Sequence, residues 1–348
     1  MPLPPLAARA LELIDVPSES RRERALAEHL LAVLDDRAVD VGDTCVLAGV
    51  TERGERPLVL LAGHLDTVPA QGNLPGRVEG GAVHGLGAAD MKGGLAVMVE
   101  LALADAAART VDLGFVFFGR EELPFGDSAL TPLLERRPGL RGADLAIVME
   151  PTANALQAGC LGNLNATLTV RGRSGHSARP WDADNAIHRL AEGIAAVAAA
   201  PYEEREFAGL AYREAISVVG VEGGIALNVV PAEAIARVNY RYAPGRSPAE
   251  AERRLREVWD GGEWEVVGNA PSGAVPEGNA LVERLRTAGG LAWQPKQAWT
   301  PVAEFAAAGV DAVNFGPGDP VFAHAADERV SIEALERSYD VLERFACA

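Results

Sequence analysis

The chain has 348 residues, of which 48% are hydrophobic and 23% are charged, the proportions of an ordinary globular protein. Its length exceeds that of a single typical core, so we expect two domains. The formal net charge is −17, and Lys92 and Lys296 are its only lysines. Because an acidic surface repels phosphate backbones and anionic lipid, we expect neither nucleic acid nor a membrane as a partner.

The N-terminal segment and the cysteines bear on the compartment. The first residues lack a basic segment followed by an apolar one, and no stretch of about 20 apolar residues occurs, which predicts a cytoplasmic protein. Cys45, Cys160 and Cys347 are odd in number and widely spaced, which argues against disulfides and against a cysteine-based metal site. Any metal must therefore be held by His, Asp and Glu.

The N-terminal half reads as helices alternating with buried strands. It predicts helices at residues 6–14 and 20–34, the second opened by Ser18-Glu19-Ser20 and Glu23 at capping-box spacing. Short strands follow at 38–41 and 44–48, and the uninterrupted apolar run 58–62 predicts a strand buried on both faces. Glycines and prolines predict a loop over 71–87, before a helix to about residue 108. Further buried strands are predicted at residues 111–119 and 144–149.

Polar side chains follow each of the three buried strands, namely His64 and Asp66, then Glu121 and Glu122, then Glu150. Carboxyl ends of parallel strands meet at one edge of a sheet, so we expect these groups to converge. Alternation places His64 and Asp66 on one side, where the Asp66 carboxylate would orient the imidazole. A structural histidine is the plainer interpretation of that segment alone, but solvated strand ends explain all three cases poorly.

The pattern changes after residue 161. A β-α-β-β-α-β order predicts an inserted ferredoxin-like α+β domain, whose polar turn at 173–180 carries His176. After a return linker at 271–278, the α/β pattern resumes and ends in a helix that starts near Ser331. We therefore predict an α/β catalytic domain with a mixed, mostly parallel sheet over 1–163 and 275–348, and a lid or dimerisation domain over 164–274.

The candidate ligands contain no thiolate and are His64, Asp90, Glu121, Glu122, Glu150 and His324. Two imidazoles and several carboxylates suit two zinc, cobalt or manganese ions about 3.5–4 Å apart. One carboxylate must then bridge the ions, and another must stay free as a base. For Asp90 alone, a helix-capping role is the plainer alternative.

Six ordered motifs carry a family resemblance: G-H-L-D-T-V-P at 63–69, G-A-A-D-M-K-G-G at 87–94, E-E at 121–122, M-E-P-T at 149–152, G-H-S-A-R-P at 175–180 and A-H-A-A-D-E at 323–328. Together they resemble the co-catalytic zinc peptidase and deacylase family over essentially the whole chain, including the inserted domain. The resemblance implies a zinc-peptidase-like catalytic domain with two divalent ions per subunit, zinc in the first place and cobalt as an alternative.

Residue by residue, the resemblance implies a role for each ligand. Asp90 would bridge the ions, His64 and Glu150 would complete one site, and Glu122 and His324 the other. Asp66 would orient His64, and Glu121 would remain unligated as the general base and acid. The bond between Asp90 and Met91 would be cis. The partner subunit's His176 would stabilise the oxyanion, so the active unit would be a homodimer formed through the lid.

Within the family, the C-terminal part is most similar to one branch of succinyl-diaminopimelate desuccinylases. That resemblance implies removal of succinate from the small molecule N-succinyl-LL-2,6-diaminopimelate in lysine biosynthesis. It also implies substrate contacts for Asn228, Arg241, Arg179, Thr300 and Gly316. Deacylation of acetylornithine, acetyl-lysine or another N-acyl amino acid, a metallo-carboxypeptidase and a non-catalytic binding module are the alternatives.

Two departures from that branch concern recognition of the succinyl tail. Pro301-Val302 stands where many members have Ser-Asp, and no arginine lies near Cys160-Leu161-Gly162. Since an arginine clamps a carboxylate through two parallel hydrogen bonds, another arginine would have to compensate. The candidates are Arg173, Arg179, Arg241 and Arg246.

Overall fold

The computed structural model describes residues 3–348. Up to residue 159 the chain forms α1 (Pro5–Ile14), α2 (Arg24–Leu34), β1 (Ala38–Asp40), β2 (Val46–Gly49), β3 (Leu58–His64), β4 (Arg77–Glu79), β5 (Ala82–His84), α3 (Gly93–Leu103), β6 (Asp112–Phe118), α4 (Leu130–Arg136), β7 (Leu145–Val148) and β8 (Leu156–Ala158). Next come β9 (Gly162–Arg171), β10 (Gly175–His176), α5 (Ala186–Ala199), β11 (Glu203–Phe207), β12 (Leu210–Gly223), β13 (Val229–Val230), β14 (Glu233–Tyr242), α6 (Pro248–Val258) and β15 (Glu263–Ala270). The last part contains α7 (Ala280–Gly289), β16 (Trp293–Pro295), α8 (Val302–Ala307), β17 (Ala312–Asn314), β18 (Arg329–Ser331) and α9 (Ile332–Cys347).

The chain divides into two compact units. Unit 1 comprises Met1–Gly159, Ala274–Lys296 and Thr300–Ala348, and unit 2 comprises Cys160–Gly273 and Gln297–Trp299. The sequence pattern predicts the insertion over 164–274 but does not predict that residues 297–299 join it. Trp299 ties this short segment to unit 2, because its indole N–H donates to the Pro271 carbonyl oxygen at 3.1 Å. No helix among residues 3–348 has the length and apolar character needed to cross a membrane.

The large sheet of unit 1 has the strand order β1-β2-β6-β3-β7-β17-β8-β16. Its four central strands β6, β3, β7 and β17 run parallel to one another, whereas the pairs β1–β2, β2–β6 and β17–β8 are antiparallel. A mixed, mostly parallel sheet is what the sequence predicts, and this fold class is confirmed.

The sheet is covered by helices on both faces, as β3 illustrates. All seven residues of β3 are buried. Val59 and Leu61 pack in a cluster with residues of α1, α2, α3, α7 and α9, whereas Leu58, Leu60 and Ala62 pack with α4 and α8. Burying each large apolar side chain contributes about 1.5–3 kcal/mol. The continuous apolar run therefore holds β3 at the centre of the sheet, and the predicted burial on both faces is confirmed.

Unit 2 is an antiparallel sheet in the order β11-β12-β14-β9-β15. Its helices α5 and α6 bury Leu190 and Leu255 in one cluster with the inward side chains of the strands. The order β15-β9-β14-β12 is that of the predicted ferredoxin-like domain. Strand β11 is an addition at the edge of this sheet. Its residues are at most partly buried, and the sequence Glu-Glu-Arg-Glu-Phe is too polar to predict a strand.

The prediction of a structureless loop over residues 71–87 is wrong. The segment contains β4 and β5, an antiparallel hairpin whose second strand also pairs with β18. Gly80 and Gly81 turn the hairpin with φ of +59° and +77°, values that favour glycine. Strands of three residues give too little alternation to be recognised, although the Gly-Gly pair is a hairpin signal.

The predicted capping box at the start of the second helix is also wrong. Helix α2 begins at Arg24, and no side chain caps it. The Ser20 hydroxyl instead donates to Asp66 at 2.9 Å, and the Glu23 carboxylate accepts from the backbone N–H of Arg21 and of Arg120. Residues with capping-box spacing therefore serve the loops at the end of the sheet.

Candidate metal centre

Three neighbouring strands of unit 1 bring candidate ligands to one edge of the sheet. His64 ends β3 and is paired in register with Phe118, which ends β6. Glu121 and Glu122 follow shortly after β6, and Glu150 follows shortly after β7, which also pairs in parallel with β3. The structure brings these groups together because parallel strands present their carboxyl ends at the same edge.

Two loops add the remaining candidate ligands. Asp90 lies in the irregular turn Ala88–Lys92 that precedes α3, and the Asp90–Met91 peptide bond is cis, as the resemblance implies. His324 lies in the loop before β18, half-exposed, with a positive φ of 59°. The turn and the loop meet at the strand ends although they are more than 200 residues apart in sequence.

The Asp90 carboxylate lies between the two imidazoles. Its Oδ1 is 3.1 Å from His64 Nε2, and its Oδ2 is 3.4 Å from His324 Nε2. Glu150 Oε1 is 3.9 Å from His64 Nε2, and Glu122 Oε1 is 2.9 Å from His324 Nε2. Two groups of three possible ligands therefore share Asp90, and within each group the ligand atoms lie within 4.8 Å of one another.

The chemistry of these residues fits divalent metal ions. Imidazole nitrogens and carboxylate oxygens without thiolate suit zinc, cobalt or manganese. Glu150 Oε1 is buried and has no hydrogen-bond partner among residues 3–348, a costly state for a carboxylate oxygen unless it has a ligand. A buried carboxylate oxygen without a protein partner, next to His64 and Asp90, fits a metal-ligand role for Glu150.

The carboxylates of the centre repel one another. Burial and then the charge of Asp90 raise the pKa of Glu150 to about 7, and Lys296 opposes that rise. Burial and the charge of Glu150 raise the pKa of Glu121 well above its ordinary value. A divalent cation would relieve this repulsion and favour the ionised carboxylates.

The imidazoles are paired with carboxylates. Burial alone would lower the pKa of His64, but its hydrogen bond to Asp90 and the neighbouring carboxylates raise it well above 6.5. Hydrogen bonds to Asp90 and Glu122 raise the pKa of His324 to about 10. Burial disfavours charge on Asp90, yet the bonds from both imidazoles hold its pKa below the usual range. Since a ligating imidazole must be neutral, metal binding here would release protons.

Asp66 orients this centre differently from the sequence-based expectation. His64 Nδ1 lies 3.0 Å from the backbone carbonyl oxygen of Asp66, and the Asp66 carboxylate is farther away at 3.6 Å. The carboxylate instead accepts the backbone N–H groups of Glu121 and Glu122, each at 3.0 Å, and the Ser20 hydroxyl. Asp66 therefore holds the glutamate pair in place and fixes the imidazole through its main chain.

The two adjacent glutamates have different surroundings. Glu122 contacts His324, whereas Glu121 lies near His64 without a hydrogen bond to it. His64, Glu121 and Glu122 also form a group whose ligand atoms lie within 4.8 Å of one another. Distance alone therefore allows Glu121 to be a ligand or a free base, and a measurement must distinguish the two.

The sequence patterns assign no role at the centre to three residues that support it. Ser20 and Glu23 read as a helix cap, although they hold Asp66 and the residue before Glu121. Lys296 donates to the Pro151 carbonyl oxygen at 3.1 Å, directly after Glu150. Its rarity in this chain, as one of two lysines, is the only sequence signal that points to it.

Unit 2 carries His176 in an exposed turn. The backbone N–H of Ala178 donates to His176 Nδ1 at 3.0 Å, so in the neutral imidazole the proton lies on Nε2. The backbone N–H of Ser177 donates to the Asn228 carbonyl oxygen, which places the Asn228 loop beside this turn. Arg179 lies in the same turn and is exposed.

Arg241 lies on β14 in unit 2. Its Nε donates to Asn239 Oδ1 at 3.1 Å, and its terminal nitrogens have no hydrogen-bond partner among residues 3–348. Burial lowers the pKa of Arg241, and the Cys160 thiol is close enough to act on its charge. The guanidinium therefore lies near Cys160-Leu161-Gly162, the segment noted above for having no arginine nearby in sequence.

Thr300 and Gly316, the remaining predicted substrate contacts, lie in unit 1. Thr300 precedes α8 and is 1% exposed. Gly316 packs behind the centre, where an added Cβ would lie 2.5 Å from the Glu150 carbonyl oxygen. The Gly316 backbone also exchanges two hydrogen bonds with the Thr152 hydroxyl. Close approach to the Glu150 strand end is thus sufficient reason for a glycine at this position.

Comparisons with known proteins identify the family of this chain. Residues 60–348 match the family model described as "Peptidase family M20/M25/M40". The chain is 39% identical over 347 residues to the succinyl-diaminopimelate desuccinylase of Corynebacterium glutamicum, with 96% of this chain and 94% of that protein covered. It is 42% identical over 344 residues to a Mycobacterium tuberculosis protein provisionally given the same name, with 96% and 95% covered.

A solved structure shows the same fold. The aminopeptidase PepT of Bacillus cereus superposes with a TM-score of 0.79 at 18% identity, with 98% of this chain and 97% of that chain covered. The family match covers most of the chain, and the similar proteins cover nearly all of it. The chain therefore belongs to peptidase family M20/M25/M40, a family of metal-dependent amide hydrolases.

Proposed function

We propose that this enzyme hydrolyses N-succinyl-LL-2,6-diaminopimelate and releases succinate, a reaction that serves diaminopimelate and lysine synthesis. The observation that carries the proposal is the position of the Asp90 carboxylate. Its two oxygens face different imidazoles, and further carboxylates surround them. The similarity over nearly the whole chain to two proteins named succinyl-diaminopimelate desuccinylase supports this choice of substrate.

The centre would hold two divalent ions per subunit, zinc in the first place and cobalt as an alternative. Asp90 would bridge them, with the other ligands divided into two pairs, His64 with Glu150 and Glu122 with His324. Bound there, the ions would polarise the substrate carbonyl and lower the pKa of the attacking water.

Glu121 would move the proton during the reaction. Its raised pKa and its place beside the ligands suit a group that accepts a proton from water and returns it to the leaving amine nitrogen. The Asp66 carboxylate accepts the Glu121 N–H and would thereby keep the Glu121 side chain beside the proposed metal ligands. The net reaction adds water across the amide bond and yields succinate and the free amine.

Arg241 is the best candidate for the succinyl carboxylate. Its terminal nitrogens have no hydrogen-bond partner in the described part of the chain, and it lies near the Cys160 segment that lacks an arginine. A guanidinium can bind a carboxylate through two parallel hydrogen bonds, which an N-acetyl group cannot accept. Arg241 would thereby favour succinylated over acetylated substrates.

His176 would act in a homodimer that forms through unit 2. Among residues 3–348, no strand flanks the outer edge of β12 beyond Glu214, since β11 pairs only with residues 210–214. Val219, Ile225 and Leu227 are also 65% or more exposed, an apolar surface that a second copy would cover. The partner's His176 would then donate Nε2–H to the oxyanion.

Mixed dimers of His176→Ala and Glu121→Gln subunits should recover activity, and failure of verified mixed dimers to do so would refute this role.

The proposed substrate is tested by a panel assay of the zinc-loaded enzyme. We expect a higher kcat/KM for N-succinyl-LL-2,6-diaminopimelate than for N-acetylornithine, N-acetyl-lysine or a dipeptide. Arg241→Lys, which keeps the charge but loses the planar fork, should reduce the preference for succinyl over acetyl substrates. A wild-type preference for an acetylated amine would make the enzyme a deacylase of another N-acyl amino acid, and a preference for the dipeptide would make it a peptidase.

A further inference from the structure

Glu328 is a buried carboxylate at the metal centre that the proposed mechanism does not use. Its residue is 2% exposed and lies four positions after His324. Its Oε1 accepts the backbone N–H groups of Ala89 and Asp90, each at 3.0 Å, and its Oε2 accepts that of Gly87 at 2.8 Å. One side chain thus accepts three main-chain donors of the turn that carries the bridging aspartate.

The turn depends on these hydrogen bonds. The backbone N–H of Gly85 also donates to the Glu328 carbonyl oxygen at 3.0 Å, so the segment 85–90, which includes the first part of the turn, is attached to Glu328 at both of its ends. Gly87 adopts φ of +77° and Asp90 has non-helical φ and ψ of −128° and 92°, so this backbone does not supply acceptors for these N–H groups as a regular helix would. Without the Glu328 carboxylate these buried N–H groups would lose their acceptor, which destabilises the turn.

We infer that Glu328 is a positioning residue that sets Asp90 at the correct distance from both histidines. This inference rests on the proposed dinuclear centre. Asp90 must direct one oxygen at each of two sites, so a small shift of its backbone would weaken both sites at once. Because Glu328 follows His324 on the same loop, it also couples the turn of the bridging ligand to the loop of a ligand of the second site.

Glutamine at this position provides a sharp test. In Glu328→Gln one oxygen could still accept from Ala89 and Asp90, but the amide NH₂ would then face the N–H of Gly87, donor against donor. The variant keeps the volume of the side chain and loses only part of the anchoring. Asp327→Asn is the matched control, because Asp327 is adjacent, exposed and paired with Arg329 on the surface.

The experiment is a calorimetric titration of the metal-free full-length proteins with Co²⁺, with the visible Co²⁺ spectrum recorded at each addition. Changes in groups that hold metal ligands reduce metal affinity about 10- to 100-fold. We expect a loss of this size at both sites of Glu328→Gln, a changed spectrum, and wild-type behaviour in Asp327→Asn. Thermal unfolding of the metal-free proteins is measured alongside, as a check on a purely structural role.

The outcomes separate this inference from the proposed function. If the wild type binds two ions and Glu328→Gln binds them with the same affinity and spectrum, the positioning role is refuted and the centre stands. If Glu328→Gln lowers the thermal midpoint equally with and without Co²⁺, Glu328 is only structural, since weakened metal binding must also reduce the stabilisation by metal. If the wild type binds fewer than two ions, the proposed centre itself is refuted.

Discussion

Two adjacent glutamates have different environments, and the mechanism depends on which one binds metal. Glu122 Oε1 lies 2.9 Å from His324 Nε2, and its N–H is fixed by Asp66. Glu121 is fixed in the same way, but its partly buried carboxylate lies near Glu150, and burial and the Glu150 charge raise its pKa. The backbone therefore presents two similar side chains to two different positions.

Replacing each glutamate in turn distinguishes the free base from the ligand. Glu121→Gln should retain both metal ions while kcat falls about 10²- to 10⁴-fold, because a positioned acid–base group supplies that factor. Glu122→Gln should lose affinity for one ion. Metal content after dialysis and kcat at saturating substrate measure the two effects. The assignments would be reversed if Glu121→Gln lost an ion and Glu122→Gln kept both with reduced kcat.

Single residues show how far the sequence goes in predicting the site. His64, Asp90, Glu122, Glu150 and His324 stand in motifs at strand ends and loops, so both their identity and their convergence could be predicted. The partners of Asp66 could not. Its bonds to Ser20 and to the glutamate backbone span 46 to 56 residues, and no local pattern encodes a side chain that accepts main-chain donors so far away.

At the scale of elements, predictability follows the length and burial of each segment. The strands β3 and β6 each have seven buried residues, six of which form a continuous run without a polar side chain, a pattern typical of a buried strand. The hairpin β4–β5 and the edge strand β11 have short or polar sequences, and pairing with neighbouring strands decides their conformation. Such pairing is a tertiary effect that a window of sequence does not contain.

Glu304 of α8 is a buried carboxylate that faces the start of α4, and only one of its two oxygens accepts hydrogen bonds from residues 3–348. Glu304 Oε1 accepts the hydroxyls of Ser128 and Thr131 and the Thr131 N–H, whereas its Oε2 is buried without a partner among residues 3–348. Burial raises the pKa of Glu304, although these hydrogen bonds oppose the rise. The folded state therefore holds a proton on Glu304 that the unfolded state releases at lower pH.

This carboxylate should make stability depend on pH. Below its ordinary pKa, Glu304 is protonated in both states and costs nothing; as pH rises towards its raised folded pKa, stability is lost. Glu304→Gln removes that loss, so its free energy of unfolding relative to the wild type should increase from pH 4 to pH 8. Urea unfolding of the metal-free proteins measures the difference, with the exposed Glu135→Gln as control. A difference that is constant with pH would contradict the titration of Glu304.

At the scale of the whole molecule, the candidate metal centre is assembled from both sequence parts of unit 1. Four of the proposed ligands precede the inserted unit 2, and His324 follows it. The proposed site with Glu122 and His324 would therefore need the C-terminal part of unit 1 folded against the N-terminal part, whereas His64, Asp90 and Glu150 all come from the N-terminal part. Asp90 belongs to both groups, so the two sites should not behave independently.

If the Asp90 carboxylate links two metal ions, a Co²⁺ titration of the metal-free wild-type protein should reveal the link. Calorimetry counts the ions, and electron paramagnetic resonance at each addition reports whether neighbouring ions interact. We predict two ions per subunit, with the second ion changing the signal of the first because Asp90 joins them. A single ion at saturation, or two ions whose signals simply add, would show that Asp90 does not link two metal sites.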